Sequence, residues 1–212
     1  MTIERDVMEY DVVIVGAGPA GLAAAIHLKQ LAAQKAQELS ICLLDKGSEV
    51  GSHIVSGCVM NPRGLDELIP NWRKLDFPVT TEVKKDKLVY FSKTKQYKLP
   101  LPRDWKNYGN YIISLSQLCR KLAEYAEGLG VEIYPGFAAK APIIEDRVLK
   151  GILTGDMGTE RDGNPGANYQ PGVEIRAKQT ILAEGCRGSI SKQLIAHFKL
   201  NKDSQPRTYG LG

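Results

Sequence analysis

The sequence predicts an α/β fold built on a parallel sheet, and three adjoining features predict it. Tyr10–Val15 is a continuous run rich in β-branched residues, of the kind buried on both faces of a sheet. Gly16-Ala-Gly-Pro-Ala-Gly21 follows at once and opens an alanine-rich segment, Leu22 to about Lys35, made of helix formers. A second apolar run, Ser40–Leu44, ends in Asp45 and completes a β-α-β unit, whose crossover is right-handed and whose strands are parallel.

The elements that follow are less regular. From Lys46 to Asn110 periodicity is weak and Gly51, Gly57, Pro62, Gly64 and Pro70 punctuate the chain, with Leu88–Phe91 and Gln96–Leu99 as a short antiparallel pair. Ser114–Gly128 is an amphipathic helix with Leu115, Leu118, Leu122, Tyr125, Ala126 and Leu129 at three-four spacing. Ser114 and Gln117 have capping-box spacing, and Gly128 or Gly130 supplies the C-cap. Val131–Tyr134, Ile143–Ile144, Val148–Thr154, Val173–Arg176 and Gln179–Ala183 are strand candidates, with a polar loop over Gly155–Gly172. Ser189–Phe198 is a final helix, with Ile190, Leu194 and Phe198 on one face.

Composition bounds the function. The chain has 212 residues, 43% hydrophobic and 25% charged, which is globular composition and excludes disorder as the main state. The longest uncharged stretch, Val12–Leu28, is 17 residues and is interrupted by Gly16, Gly18, Pro19 and Gly21, so it is not a membrane span. Glu4, Asp6, Glu9 and Asp11 against Arg5 make an acidic lead unlike a secretory signal or a transit peptide. Cys42, Cys58, Cys119 and Cys186 are far apart with no C-x-x-C spacing, which predicts reduced thiols and neither a disulfide framework nor a metal site. The net charge is +4, yet residues 81–106 alone hold eight basic residues against three acidic ones, a net of +5. Such a patch suits an anionic membrane or an acidic partner, or is a solvated hairpin; no recognition motif accompanies it, which disfavours nucleic acid.

The chemistry lies in the glycine-rich turn. Gly16-x-Gly18-x-x-Gly21 sits directly after a buried strand and opens a helix, the context that makes it a dinucleotide-binding turn. Gly16 permits the tight turn, Gly18 lets the backbone approach a pyrophosphate, and Gly21 lets helix and strand pack closely. The helix N-terminus then offers free N–H groups and a partial positive charge. Asp45 ends the second strand, where a carboxylate takes a ribose hydroxyl and disfavours the 2′-phosphate of NADP. The local motif does not separate FAD from NAD. The helix-strand-meander order after Ser114 and the run Thr180-Ile-Leu-Ala-Glu-Gly-Cys-Arg-Gly188 favour FAD. No His, Cys or carboxylate pair suggests acid–base or nucleophilic catalysis, and His53 reads as a loop histidine.

Val12-Val-Ile-Val-Gly-Ala-Gly-Pro-Ala-Gly-Leu22 with Thr180–Gly188 resembles the FAD domain shared by aromatic hydroxylases and geranylgeranyl reductases. Other segments resemble the electron transfer flavoprotein–ubiquinone oxidoreductase family more narrowly. They are His53-Ile-Val-Ser-Gly57, Gly109-Asn-Tyr-Ile-Ile113, Leu129–Gly136, Gly155-Asp-Met-Gly158 with Asp162-Gly-Asn-Pro165, and Pro206-Arg-Thr-Tyr-Gly210. The resemblance covers almost the whole chain. It implies a Rossmann-like FAD-binding domain with a parallel sheet, a β-meander insertion and part of a second domain. It also implies an oxidoreductase that takes electrons from reduced electron transfer flavoprotein into FAD, and on through a 4Fe–4S cluster to ubiquinone at a membrane surface.

Carried over by position, Gly16, Gly18, Pro19, Ala20 and Gly21 would wrap the FAD pyrophosphate, and Asp45 with Lys46 would hold the adenosine ribose. Ser56 and Gly57 would approach the flavin side, Gly185 would close on the cofactor, and Ala139 would touch the adenine. Ser56 is alternatively a loop hydroxyl capping its own backbone, and Gly185 a plain turn glycine. Ser114 stands where many relatives in the wider FAD family have an arginine; serine caps the helix but does not neutralise phosphate, so some of the affinity would come from elsewhere. The cluster cysteines expected by resemblance are not in this chain, and Thr208–Gly212 reads as the opening of a new strand. The expectation is an FAD-binding domain over 1–212, incomplete at its C-terminus, with about 46–110 and 206–212 beginning the substrate or quinone side. By the same resemblance the full protein would sit peripherally on the cytoplasmic side of a bacterial inner membrane, and this piece would be soluble. The alternatives are another FAD-dependent reductase or hydroxylase of the same fold, or an inactive nucleotide-binding fragment.

Overall fold

The computed structural model describes residues 5–55, 57–160, 164–202 and 204. The chain opens with β1 (Val7–Val15), α1 (Pro19–Gln34) and β2 (Ile41–Asp45). Next come β3 (Gly57–Met60), a short α2 (Arg63–Leu68), β4 (Thr81–Glu82), β5 (Leu88–Phe91), β6 (Gln96–Leu99) and β7 (Tyr111–Ser114). Then follow α3 (Leu115–Gly128), β8 (Glu132–Pro135), β9 (Ala139–Glu145) and β10 (Val148–Thr154). β11 (Met157–Thr159), β12 (Pro165–Gln170), β13 (Glu174–Leu182) and α4 (Ser189–Phe198) complete the order.

Six strands form the central sheet in the order β8-β2-β1-β13-β10-β9. β8, β2, β1 and β13 are parallel, and β10 and β9 add an antiparallel flank. β9, β10 and β13 are therefore the expected meander, built onto the sheet edge. The β9–β10 reversal uses Asp146 and Arg147, both at positive φ (48° and 62°), the two-residue geometry whose twist matches the strands.

The unbroken apolar run of β1 is explained by two cores, one on each face of the sheet. Val12 and Ile14 with Ile41 and Leu43 face α1 and α3, where Leu22, Ile26, Leu118 and Leu122 are buried. Val13 and Val15 with Cys42 and Leu44 face the other way, against Ile190 and Leu194 of α4. A strand buried on both faces loses the alternation that marks a half-exposed one. In α3, Ser114 Oγ accepts from the Gln117 N–H as the N-cap, and Gly130 takes the positive φ (83°) just beyond the last turn.

Three expectations are corrected. Val173–Arg176 and Gln179–Ala183 are one strand, β13, running in register beside β1 from Glu174 to Leu182. Lys178 and Gln179 interrupt the apolar pattern, but backbone pairing with β1 carries the ladder across them, and the Lys178 ammonium pairs with Asp11 at 2.6 Å. The polar stretch Gly155–Gly172 is not only loop: β11 and β12 pair antiparallel into an exposed ribbon whose strands bury too little to show alternation. Finally, the unpatterned stretch 46–110 contains β3 and β4, which pair on either side of β7, and α2. The β5–β6 hairpin falls where expected. Asp162, Gly163 and the closing 206–212 lie outside the described residues.

Candidate functional site

The carboxyl ends of β1, β2 and β13 meet in one place, because β13 lies on one side of β1 and β2 on the other. That divergence is where open α/β sheets leave a crevice. Here it is a cavity of about 800 Å3, lined among others by Gly16, Gly18, Pro19, Ala20, Asp45, Lys46, Phe137, Ala139, Gly185 and Arg187.

The three motif glycines have separate duties. Gly16 turns the chain at φ +109°, and any Cβ there would strike the Ala183 carbonyl. A Cβ on Gly21 would strike the carbonyl of Gly16, so its absence sets how closely α1 approaches the end of β1. Gly18 is different. Its backbone is extended (φ −77°, ψ 179°), conformationally open to any residue, and a Cβ there would meet nothing within 4 Å. The space over Gly18 is the cavity. Gly18 is also the N-cap of α1, with Pro19 in the first turn, and no side chain caps this end. The first-turn amides of α1 are thus presented to the cavity unfilled.

Asp45 braces this turn. Its carboxylate accepts from the Ala17 N–H at 2.8 Å and from the Gly47 N–H at 2.7 Å, joining the glycine turn to the exit of β2. Both bonds leave acceptor capacity on the oxygens, since each carboxylate oxygen has two lone pairs. Lys46 lies beside it on the cavity wall and is exposed.

The opposite wall comes from the end of β13. The Ala183 N–H bonds to the Val15 carbonyl, and Gly185 turns the chain at φ +72° into a short 3-10 turn, Gly185–Arg187, ahead of α4. Glu184 reaches from this turn over the start of α4. Its carboxylate accepts from the backbone N–H groups of Ser189, Ile190 and Ser191 at 2.9, 3.1 and 2.8 Å, and from the Ser191 hydroxyl at 2.8 Å. Burial pushes the Glu184 carboxyl up, but these bonds outweigh it and hold it below the usual carboxylate range. Two helix N-termini therefore face one cavity, that of α4 filled by the protein's own carboxylate and that of α1 left open.

Of the residues singled out in the sequence, Gly16, Gly18, Pro19, Ala20, Asp45, Lys46, Ala139 and Gly185 line the cavity together. Gly21 stands behind the wall as a packing residue. Gly57 is not in the wall: it lies in β3, paired with Ser114 of β7, and a Cβ there would press on the Ile113 carbonyl. Ser56 lies outside the described residues. Glu184, Arg187 and Phe137 were not singled out; Glu184 carries a signal only once Ser189–Phe198 is known to begin beside it.

The cysteines do not converge on this or any other site. Cys42 and Cys119 are buried, Cys58 is half-buried and Cys186 is exposed. Among the described residues no three His, Cys, Asp or Glu side chains gather as a metal site. The chain's residues do not fit a 4Fe–4S cluster, whereas the uncapped helix end and the open space over Gly18 fit a dinucleotide.

Known proteins bear on this geometry. The family model for pyridine nucleotide-disulphide oxidoreductases matches residues 10–98. A Pseudomonas aeruginosa protein named electron transfer flavoprotein-ubiquinone oxidoreductase is 54% identical over 99% of this chain. The chain is a close relative of the electron transfer flavoprotein–ubiquinone oxidoreductases. Mitochondrial proteins of that name from Oryza sativa and Homo sapiens are 53% and 43% identical over 98% and 100% of it. The chain spans only 39%, 36% and 35% of these three relatives, little more than a third of their length.

Solved structures agree on the fold. A geranylgeranyl bacteriochlorophyll reductase-like protein from Thermoplasma acidophilum matches with a TM-score of 0.62 at 21% identity, covering 88% of this chain and 42% of that one. CtdE, solved in complex with FAD, matches at 0.55 and 23% identity, covering 89% of this chain and 41% of its own. The fold is the Rossmann-type α/β fold of FAD-dependent oxidoreductases.

Proposed function

We propose that this chain is the N-terminal FAD-binding part of an electron transfer flavoprotein–ubiquinone oxidoreductase. The observation that carries the reading is the open N-terminus of α1 at the floor of the cavity, beside an α4 N-terminus already filled by Glu184. An anionic linkage has one helix end to go to, and Gly16, Gly18, Pro19, Ala20 and Gly21 shape it. Asp45 would brace the turn through Ala17 and Gly47 and present its remaining lone pairs to the adenosine ribose, with Lys46 beside it. Ala139 would border the adenine, Gly185 would close the far wall, and Ser56 and Gly57 would belong to the flavin side. When bound, FAD supplies the redox chemistry; the chain's residues bind it, orient it and exclude water.

In the whole protein electrons would come from reduced electron transfer flavoprotein and leave to ubiquinone. A 4Fe–4S cluster would be held by residues not in this chain. Residues 46–110 would begin the quinone side, and the exposed β5–β6 hairpin supports a peripheral contact with an anionic membrane; the whole protein would sit on the cytoplasmic face of a bacterial inner membrane. Tyr90, Phe91, Tyr97, Leu99 and Trp105 are exposed there among lysines, an aromatic and cationic mix suited to a headgroup layer. Among the described residues no helix is long and apolar enough to cross a membrane. The alternative of a hydroxylase or an unrelated reductase rests on fold likeness near 20% identity and lacks the 43–54% support of the oxidoreductase relatives.

The test is retention of FAD by the purified chain after gel filtration, read by visible flavin absorbance. Stoichiometric flavin in the protein peak is the expected result. A colourless peak from a folded chain in excess FAD overturns the reading.

A further inference from the structure

The charged groups of the cavity wall divide in an uneven way. Both carboxylates are engaged by the backbone: Asp45 by Ala17 and Gly47, Glu184 by the first turn of α4. Both permanent cations, Lys46 and Arg187, line the cavity and make no ion pair or side-chain hydrogen bond among the described residues. Elsewhere in the described chain most arginines are committed: Arg5, Arg63, Arg73, Arg120 and Arg176 each hold a carboxylate. Glu184, three residues before Arg187, is the nearest acidic residue in sequence, and it has been drawn off to the α4 amides.

Arg187 also follows closely on a segment that touches the glycine turn. Ala183 is in contact with the glycine turn: its carbonyl abuts Gly16, and its Cβ would lie 3.2 Å from a Cβ on Gly21. The Gly185–Arg187 turn starts two residues later and holds Arg187 on the cavity rim, exposed. α3 brings Leu115 to the same cavity and no charge with it.

We propose that Arg187 is a ligand-binding residue of this cavity, whose guanidinium meets the diphosphate of the dinucleotide seated at the N-terminus of α1. This deepens the FAD reading and rests on it. Glu184 is then a positioning residue with two effects: it denies the anion the N-terminus of α4, and by taking those amides it leaves Arg187 unpaired. Arginine suits the task because its planar fork of donors meets phosphate oxygens in pairs.

The experiment measures binding of FAD, ADP and adenosine to the wild-type chain and to Arg187→Ala, Arg187→Lys and Arg187→Glu, at low and moderate salt. A charge-assisted bond of this kind corresponds to about tenfold or more in affinity. Arg187→Ala is expected to weaken FAD and ADP by about that factor and to leave adenosine, which has no phosphate, unchanged. Arg187→Lys retains part of the affinity and Arg187→Glu loses the most, with the salt dependence of ADP binding flatter in the alanine variant. Because Arg187 makes no ion pair or side-chain hydrogen bond among the described residues, all three variants should melt with the wild type. ADP binding unaltered in Arg187→Ala, or adenosine weakened equally, overturns the assignment while the FAD reading stands. Failure of the wild type to bind FAD or ADP overturns both.

Discussion

Gly18 and Gly21 sit three residues apart in one motif, yet their replacement should have opposite consequences. Gly18→Val places a side chain where the structure has only cavity, on backbone that any residue adopts. Removing a glycine from the unfolded chain gains about 0.4–1 kcal/mol, and losing glycine at an N-cap costs a few tenths to about 1 kcal/mol. The two nearly cancel, so stability should move by no more than about 0.5 kcal/mol, or about 2 °C in Tm for a chain of this size. Flavin retention should nevertheless be abolished, because the branched side chain fills the space over the open helix end. Gly21→Ala is the reverse. The helix gains about 1 kcal/mol of propensity, but the new methyl meets the Gly16 carbonyl, which is backbone and cannot rotate away. At the upper end of overpacking costs, about 3 kcal/mol, the net loss is about 2 kcal/mol and Tm falls by about 4–8 °C. Thermal melts by circular dichroism, paired with flavin content after gel filtration, separate the two. Wild-type flavin content in Gly18→Val, or its loss accompanied by a melt as low as that of Gly21→Ala, would refute the assignment of separate duties.

Three further outcomes are expected. Glu184→Ala should cost about 1–2 kcal/mol by uncapping α4 and speed hydrogen exchange at Ser189–Ser191; unchanged exchange there would show that the cap does not hold the helix. Acid should destabilise the fold: hydrogen bonds from Lys178 and then Ser40 hold the Asp11 carboxyl at about 2, and those from Arg5, then Gly172 and Lys140 hold Asp156 far below its ordinary value. Folded values depressed in this way give stability that is full above about pH 4, the unfolded value, and is lost as pH falls toward 2; a urea midpoint flat from pH 5 to 2 would contradict it, and Asp156→Asn should reduce the slope. Thiol titration at mild alkaline pH should label Cys186 at once and Cys58 slowly, while burial, which raises Cys42 to about 12 and Cys119 to about 11, protects those two until unfolding; four equally fast thiols in the folded chain would be inconsistent with the packing.

Legibility in the sequence followed how local each signal was. β10, the β5–β6 hairpin, α3 and α4 were legible because each carries its own period, cap or turn. The β1 turn was legible because three glycines at fixed offsets have few other uses after a buried strand. β13 was broken in two at Lys178 and Gln179, since its continuity comes from a ladder to β1 that lies more than 160 residues away in the chain. β3, β4 and β7 went unseen for a related reason: each is two to four residues long and exists only by pairing with the others. Gly57, expected on the flavin side, also stands in β3 where a Cβ would press on the Ile113 carbonyl, a close approach that no local pattern announces.

The sequence by itself determined the β-α-β unit, the glycine turn, the acidic end of β2 and, through resemblance, the family. These depend on spacings of a few residues, which physical chemistry constrains directly. Only the tertiary structure decided which charges remain available in the cavity. Asp45 and Glu184 are both acidic residues at strand ends, and nothing local says that one braces a turn and the other fills a helix terminus. For Asp45 it follows from the β1–β2 packing that brings the Ala17 amide, 28 residues away, to the end of β2, and for Glu184 from the turn at Gly185 that folds it back over the first amides of α4. With Glu184 held on those amides, Arg187 lines the cavity with no ion pair or side-chain hydrogen bond among the described residues, and α1 is left as the helix end open to an anion.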